Sequence, residues 1–213
     1  MSLDVAIIDY KISNMFSVNS ACRYLGLNSG ITSDRDEILN ARAAVLPGVG
    51  AFGVAMEHLA DLRLTATIRD FIGSGKPFIG ICLGMQLLLS ESEEFGRHEG
   101  IGIIPGFVRK FSSGHHRVPH IGWNRIEKAT LPERHAPAGF SGEIEGRPYM
   151  YFVHSFYAEP LDQSVILTRT NYANIDFCSS LVYKNILACQ FHPEKSGPAG
   201  LRILKNARIS QHC

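Results

Sequence analysis

Residues 76–86 read "KPFIGICLGMQ", and this stretch decides the fold. The apolar run 77–81 is typical of a short buried strand, and the residues after Cys82 favour a helix. Gly80 and Gly84 stand two positions before and two positions after that cysteine. A sharp strand-to-helix turn that carries a nucleophile needs glycine at both positions, because side chains there would clash. The stretch therefore predicts one strand-to-helix unit of an α/β fold.

The same alternation fills the first half of the chain. The patterns predict strands at 4–9, 43–46 and 77–81, and helices at about 12–25, 54–73 and 83–92. Ser13 is predicted to cap the first helix, Gly26 to end it, and Asp61 to interrupt the second. Strands that alternate with helices at this spacing indicate a parallel sheet with helices on both faces.

The second half of the chain changes character. Six strand-like runs follow, at 100–111, 118–126, 149–158, 164–172, 176–185 and 186–194. We expect them to add hairpins and mixed strands to the parallel sheet, before a closing amphipathic helix at 198–210. Residues 132–147 are rich in Pro, Gly and charge, and predict a surface loop. No repeat or linker divides the chain, so we expect one domain over residues 1–213.

Composition limits the class of protein. Hydrophobic residues make up 45% of the 213 residues and charged residues 19%, which argues against disorder. The net charge of +1 gives no electrostatic reason to bind nucleic acid or a membrane surface. No apolar run approaches the roughly 18 residues of a membrane span, and the N-terminus lacks the basic region of a signal peptide. We therefore expect a cytoplasmic protein with no nucleic-acid or membrane partner.

The cysteines and histidines do not predict a metal or a disulfide framework. The five cysteines are odd in number and form no C-x-x-C pair, which is typical of a reducing cytosol. His115 and His116 have no third ligand at metal-like spacing, so we expect no metal. Four cysteines have no nearby base and are interpreted as structural: Cys22, Cys178, Cys189 and Cys213.

Cys82 is the candidate nucleophile, although a buried structural cysteine is the common alternative. The following helix would place positive partial charge near the sulfur. A nucleophilic cysteine also needs a base and a group that orients the base. His192 and Glu194, in "QFHPEKS", would face the same side of an extended strand and could fill both roles, although a surface His-x-Glu pair is the alternative.

The sequence "LPGVGAF" adds a candidate oxyanion site. Gly48, Val49 and Gly50 follow a predicted strand, and glycines there would let backbone N–H groups approach a developing negative charge. The N–H group of Leu83, next to the nucleophile, is the expected second donor. An ordinary tight turn is the alternative for the glycine-rich stretch.

Together, "GICLGMQ", "PGVG" and "FHPEKS" resemble the class I glutamine amidotransferase family over essentially the whole chain. The resemblance implies a three-layer, flavodoxin-like fold whose central, mostly parallel sheet carries added antiparallel strands. It implies that Cys82 forms a γ-glutamyl thioester with glutamine, that His192 is the base, that Glu194 orients it, and that no cofactor takes part. It also places five residues in the glutamine pocket: Gly50, Gln86, Glu94, Ser155 and Phe156.

Within that family, "VPHIGWN", "YFVHS" and "QFHPEKSG" are similar to the glutaminase subunits that serve imidazole glycerol phosphate synthesis. This similarity implies a heterodimer with a (β/α)8-barrel cyclase subunit, which would receive the ammonia. It also implies that His120, Trp123 and Lys195 lie at the interface with that partner. From the residues alone, a core strand with a buried indole and a solvated lysine would be favoured.

Three alternatives stay open. Ala173, Ala188-Cys189 and Phe156 depart from the pattern of the histidine-pathway subunits, and a paralogous subunit would instead supply ammonia for amidation of a surface-polysaccharide sugar. A stand-alone γ-glutamyl cysteine hydrolase would keep the nucleophile and change the reaction. A non-catalytic scaffold for a barrel partner would not need the intact Cys-His-Glu set.

Overall fold

The computed structural model describes residues 2–12, 15–111, 117–129 and 146–206. The strands are β1 (Val5–Ile8), β2 (Ser29–Thr32), β3 (Ala43–Leu46), β4 (Phe78–Ile81), β5 (Leu89–Ser92), β6 (His98–Glu99), β7 (Ile104–Lys110), β8 (His120–Arg125), β9 (Glu127–Lys128), β10 (Tyr149–His154), β11 (Phe156–Pro160), β12 (Ile166–Tyr172), β13 (Ile175–Tyr183) and β14 (Ile186–Cys189). The helices are α1 (Met15–Tyr24), α2 (Arg35–Asn40), α3 (Phe52–Asp61), α4 (Leu64–Gly73), α5 (Leu83–Leu87) and α6 (Gly197–Leu204), with 3-10 turns at Gln163–Val165 and Pro193–Lys195.

One twelve-stranded sheet organises the fold, in the order β2-β1-β3-β4-β14-β13-β11-β7-β5-β6, with β12 paired to β13 and β9 paired to β12. The pairs from β2 to β14 are all parallel. Strands β13, β11 and β7 then pair antiparallel. Strands β8 and β10 form a separate two-stranded antiparallel sheet, referred to below as the β8–β10 hairpin although β9 lies between them in the chain. The predicted parallel sheet with added antiparallel strands is confirmed.

The parallel strands lie between two layers of helices. Strands β1, β3, β4 and β14 are buried at every position, which explains why they read as apolar runs rather than as alternating patterns. Ile8 and Leu46 pack into one core with α3 and α4. Ile7 and Val45 point to the opposite core with α1 and α6. This alternation across the sheet gives the three-layer arrangement.

The predicted helix at 83–92 is wrong in its second half. Helix α5 ends at Leu87, and residues 89–92 form β5, which pairs parallel with β7 and antiparallel with β6. The serines at 90 and 92 are poor helix residues, and the hydroxyl group of Ser90 accepts a hydrogen bond from the N–H group of Gly106. Pairing with a distant strand therefore overrides the local apolar pattern.

The other predicted elements agree with the structure where it describes them. The predicted interruption near Asp61 separates α3 from α4, and the six strand-like runs all contain strands. Several predicted features lie outside the described residues: Ser13, His115, His116, Cys213, positions 132–145 of the predicted loop and the predicted end of the closing helix at 210. Among the helices that the structure describes, none is long and apolar enough to span a membrane.

Ala173 lies in the turn between β12 and β13. Its φ is 57°, and Asn174 follows with a φ of 61°. Both residues adopt the left-handed backbone that glycine favours, so alanine at this position costs some strain without altering the hairpin.

Candidate active site

Cys82 occupies the sharp turn between β4 and α5. Its backbone has a φ of 54° and a ψ of −111°, a strained conformation for a residue with a side chain. A Cβ atom on Gly84 would overlap the carbonyl oxygen of Leu46, and one on Gly80 would lie 3.0 Å from the Leu88 side chain. Close packing around the turn therefore requires glycine at position 84 and leaves little room for a side chain at position 80.

His192 and Glu194 lie together after β14. The Nδ1 atom of His192 is 2.8 Å from the Oε1 atom of Glu194, and the two side chains are 3% and 1% exposed. The predicted extended strand is wrong for this pair, because Glu194 sits in the 3-10 turn Pro193–Lys195. His192 is extended before that turn, and the turn folds the carboxylate back onto the ring. The carboxylate fixes the ring orientation and leaves Nε2 available for another group.

The His192 ring interacts with both of its neighbours. Burial by itself lowers the pKa of His192, but interactions with Cys82 and with Glu194 outweigh burial and raise that pKa to about 10. Nε2 is buried and has no partner with normal hydrogen-bond geometry among the described residues. This environment favours a ring that takes and holds a proton.

A pocket of about 260 Å³ opens above the nucleophile. Besides Cys82, seven of the predicted residues line it: Val49, Gly50, Leu83, Gln86, Glu94, Ser155 and Phe156. Three further residues complete the lining: Pro119, Val153 and His154. Gly48 is buried and does not line the pocket; a Cβ atom there would overlap the Tyr10 hydroxyl group and lie 2.8 Å from Leu83 Cβ. The turn that carries the candidate oxyanion donors thus packs directly against the helix that follows Cys82.

Two polar side chains of the pocket have defined partners. The Oε2 atom of Glu94 accepts a hydrogen bond of 2.6 Å from the N–H group of Phe52, at the start of α3. The Nε2 atom of Gln86 donates to the carbonyl oxygen of Phe156 and to the Oε1 atom of Gln190, both at 2.9 Å. Gln86 is therefore held rigidly, with both amide hydrogens used inside the protein.

The three predicted interface residues do not share one environment. Trp123 is 55% exposed, so the alternative of a buried indole is wrong. Lys195 is exposed in the turn beside Glu194. His120 is only 3% exposed and stacks on Tyr172, with 3.9 Å between the ring centroids. His120 therefore does not lie on the surface that Trp123 occupies.

The remaining described cysteines have no catalytic setting. Cys22, Cys178 and Cys189 are buried and free. Burial raises the pKa of the Cys22 and Cys178 thiols to about 12 and raises that of Cys189 well above its ordinary value. Among the described residues, no group of three or more His, Cys, Asp and Glu side chains could hold a metal ion.

Three polar residues of the site were not predicted. Tyr10 donates a hydrogen bond of 2.8 Å from its hydroxyl group to the Pro47 carbonyl oxygen, beneath the candidate oxyanion turn. His154 lines the pocket, and Gln190 donates to the Cys82 sulfur at 3.6 Å. A signal existed for Gln190, because a glutamine two residues before His192 interrupts the apolar run 186–191.

Acid should destabilise the protein through His154. Burial lowers its pKa to about 3, below the value near 6.5 of an unfolded histidine. Between these values the unfolded chain binds a proton that the folded chain does not, so stability falls as the pH falls. We expect about 2 kcal/mol of this loss between pH 7 and pH 5, measured by urea unfolding.

The control for the acid effect is His154→Gln, whose amide can still donate to the Phe156 carbonyl. Its free energy of unfolding should fall less than that of the wild type over the same pH interval, whatever its value at pH 7. An equal fall in the two proteins would assign the acid sensitivity to other groups.

Comparison with known sequences gives one consistent result. A family model described as glutamine amidotransferase class-I matches residues 6–210. The imidazole glycerol phosphate synthase subunit HisH of Chlorobium luteolum is 45% identical over 202 residues, covering 95% of this chain and 98% of that protein. The protein of the same name from Geobacter metallireducens is 42% identical over 213 residues, covering 97% and 98%.

Comparison with solved structures supports the fold. A glutamine amidotransferase crystal structure matches with a TM-score of 0.72 at 17% identity, covering 95% of this chain and 98% of that one. A chain of the PurLQS structure from Thermotoga maritima matches with a TM-score of 0.72 at 17% identity, covering 97% and 98%. At this identity the likeness concerns the fold alone.

Proposed function

The chain belongs to the class I glutamine amidotransferase family, and we propose that it is the glutaminase subunit of an imidazole glycerol phosphate synthase. It would hydrolyse glutamine to glutamate and ammonia and deliver the ammonia to a cyclase subunit for histidine biosynthesis. The observation that carries the chemistry is that Cys82 and Gln86 line one pocket while His192 interacts with Cys82 and is hydrogen-bonded to Glu194. The names and near full-length similarity of the two HisH relatives support the pathway.

The first half-reaction forms the thioester. His192 takes the proton of the Cys82 thiol, and the sulfur attacks the carboxamide carbon of glutamine. The carbonyl π electrons move onto oxygen, and the N–H group of Leu83 and a backbone N–H group of the 48–50 turn stabilise that oxyanion. When the tetrahedral intermediate collapses, the C–N bond breaks and His192 gives its proton to the leaving nitrogen, which departs as ammonia.

The second half-reaction releases glutamate. His192, neutral again, takes a proton from water, and the resulting hydroxide attacks the thioester carbon. The C–S bond breaks and the proton returns to the sulfur. Glu194 holds Nδ1 of the ring through both half-reactions, so that Nε2 is left to face the reacting atoms.

The proposed docking surface is the outer side of the β8–β10 hairpin. Ile121, Trp123 and Tyr149 are 61%, 55% and 50% exposed there, and we call them the hairpin face. Clustered exposed apolar side chains are typical of a protein interface. The hairpin is joined to the catalytic turn, because the N–H group of His192 donates to the Tyr151 carbonyl oxygen. We propose that a (β/α)8-barrel cyclase covers the hairpin face and Lys195 in a heterodimer.

The test measures glutamate release from glutamine by the purified chain, alone and with a cyclase barrel and its ribonucleotide ligand. We expect a low rate alone and a large rise when partner and ligand are both present. A high rate for the isolated chain that the barrel does not change would contradict the coupled function and favour a stand-alone hydrolase. Absence of glutaminase activity with any partner would favour the scaffold.

Variants test the docking surface and the pathway. Trp123→Ala should weaken activation by the barrel, whereas Tyr24→Ala should not. Tyr24 is 79% exposed at the last position of α1, the helix that leads to the edge strand β2 of the large sheet. Rescue of a histidine auxotroph that lacks this subunit would support the histidine pathway. Failure with folded, expressed protein would favour a sugar acceptor.

A further inference from the structure

Gln190 is a buried polar residue next to the nucleophile. Its side chain has no exposed surface, and its Nε2 atom lies 3.6 Å from the Cys82 sulfur. The same sulfur lies 3.9 Å from the carbonyl oxygen of Val153, which can accept the thiol hydrogen. Gln190 is absent from the residues that line the pocket, so a glutamine-sized substrate would not touch it. Its contacts therefore act on the sulfur rather than on the substrate.

The orientation of the Gln190 amide is fixed by one carbonyl group. The Phe156 carbonyl oxygen can only accept hydrogen bonds, so the Gln86 group beside it must be its NH₂ group. The second hydrogen of that NH₂ group donates to the Oε1 atom of Gln190 at 2.9 Å. With its oxygen used in this way, Gln190 presents its N–H groups to Cys82.

A second arm of hydrogen bonds holds the same carbonyl group. The Nδ1 atom of His154 lies 2.7 Å from the Phe156 oxygen and must donate to it, which leaves Nε2 as an acceptor. The Nδ1 atom of His120 lies 3.0 Å from that Nε2 and donates in turn. The Nδ2 atom of Asn124 then donates to the Nε2 atom of His120 at 3.3 Å. Each hydrogen bond in the network can therefore be assigned one donor and one acceptor, and the assignment is consistent when both imidazoles are neutral.

We propose that Gln190 is a positioning residue that holds the Cys82 sulfur in its attacking orientation through an N–H···S hydrogen bond. The Phe156 carbonyl group and the two arms that meet at it fix the direction of that bond. The proposal rests on the proposed function in one respect, namely that Cys82 is the nucleophile. A bond to the sulfur limits rotation of a side chain whose backbone is already strained, and it stabilises negative charge on the sulfur during attack.

The test measures the rate at which iodoacetamide alkylates Cys82 in the full chain, over a range of pH, with peptide mass mapping to count each cysteine separately. Gln190→Met keeps a similar length and removes the donor. We expect alkylation about tenfold slower at neutral pH. Gln190→Glu places a carboxylate beside the sulfur and should also move the pH profile upward. His192, Tyr10 and Cys189, which interact electrostatically with Cys82, are unchanged in both variants.

The same variants are tested for glutamine hydrolysis with the barrel partner. Both variants should lower kcat. Gln190→Glu keeps the acceptor for the Gln86 amide and should leave the KM for glutamine nearly unchanged. The control is Gln163→Leu, which removes an exposed amide from a distant 3-10 turn and should change neither alkylation nor kcat.

Two results would overturn the positioning proposal. One is alkylation of Gln190→Met at the wild-type rate across the pH range. The other is slower alkylation in a variant that has lost folded protein in the same proportion, as measured by urea unfolding. A wild-type chain without glutaminase activity, whose alkylation still depends on Gln190, would instead contradict the proposed function and leave the positioning result intact.

Discussion

Cys82→Ser is expected to abolish glutamine hydrolysis, with a fall in kcat of about 10⁴-fold or more. Loss of a catalytic nucleophile removes the covalent route entirely, and the binding and oxyanion groups that remain supply only a small residual rate. The replacement should leave the docking surface in place, since the Cys82 side chain faces the pocket and not the hairpin face. Synthesis by the partner with ammonium salts in place of glutamine should therefore continue at the wild-type rate.

The two activities separate the possible causes of a defect. The measurement pairs glutamine-dependent with ammonia-dependent product formation in the assembled complex. Cys22→Ser is the control, because Cys22 is buried on α1 and burial raises the pKa of its thiol to about 12. It should retain both activities once any loss of stability is allowed for. If Cys82→Ser lost both activities, Cys82 would be needed for folding or docking rather than for catalysis.

The elements that sequence patterns predicted well are those with local signals. The turn at Cys82 is marked by its flanking glycines and by the apolar run before it, and both signals arise within a few residues. His192 and Glu194 are two residues apart, so any local backbone that brings them together gives a usable pair. The pair was predicted for that reason, even though the backbone is a turn and not a strand.

The features that escaped prediction depend on contacts between distant segments. Residues 89–92 form a strand only because β7 lies beside them. His120 is buried because Phe152 and Tyr172 stack on either side of it, and neither is near it in the chain. The orientation of Gln190 depends on a carbonyl group 34 positions away. Sequence spacing does not encode such neighbours.

Gly84→Ala is expected to damage both stability and catalysis. Gly84 is the second residue of α5, and an added Cβ atom would overlap the Leu46 carbonyl oxygen at the end of β3. Backbone cannot move aside as a flexible side chain can, so the helix must shift. Overpacking of this kind costs about 1–3 kcal/mol. Because Cys82 is the residue from which α5 begins, the shift also displaces the sulfur, and a displacement near 1 Å lowers the rate by about 10²-fold.

Gly73→Ala is the matched control, because it makes the same change at another helical glycine. Gly73 ends α4, and a Cβ atom there would meet nothing within 4 Å. It should be neutral or stabilise the protein by up to about 1 kcal/mol, since alanine favours helix. Urea unfolding followed by circular dichroism, together with glutaminase assays in the presence of the partner, measures both effects. If Gly84→Ala behaved like Gly73→Ala, the close approach of α5 to β3 would not be what requires glycine after the nucleophile.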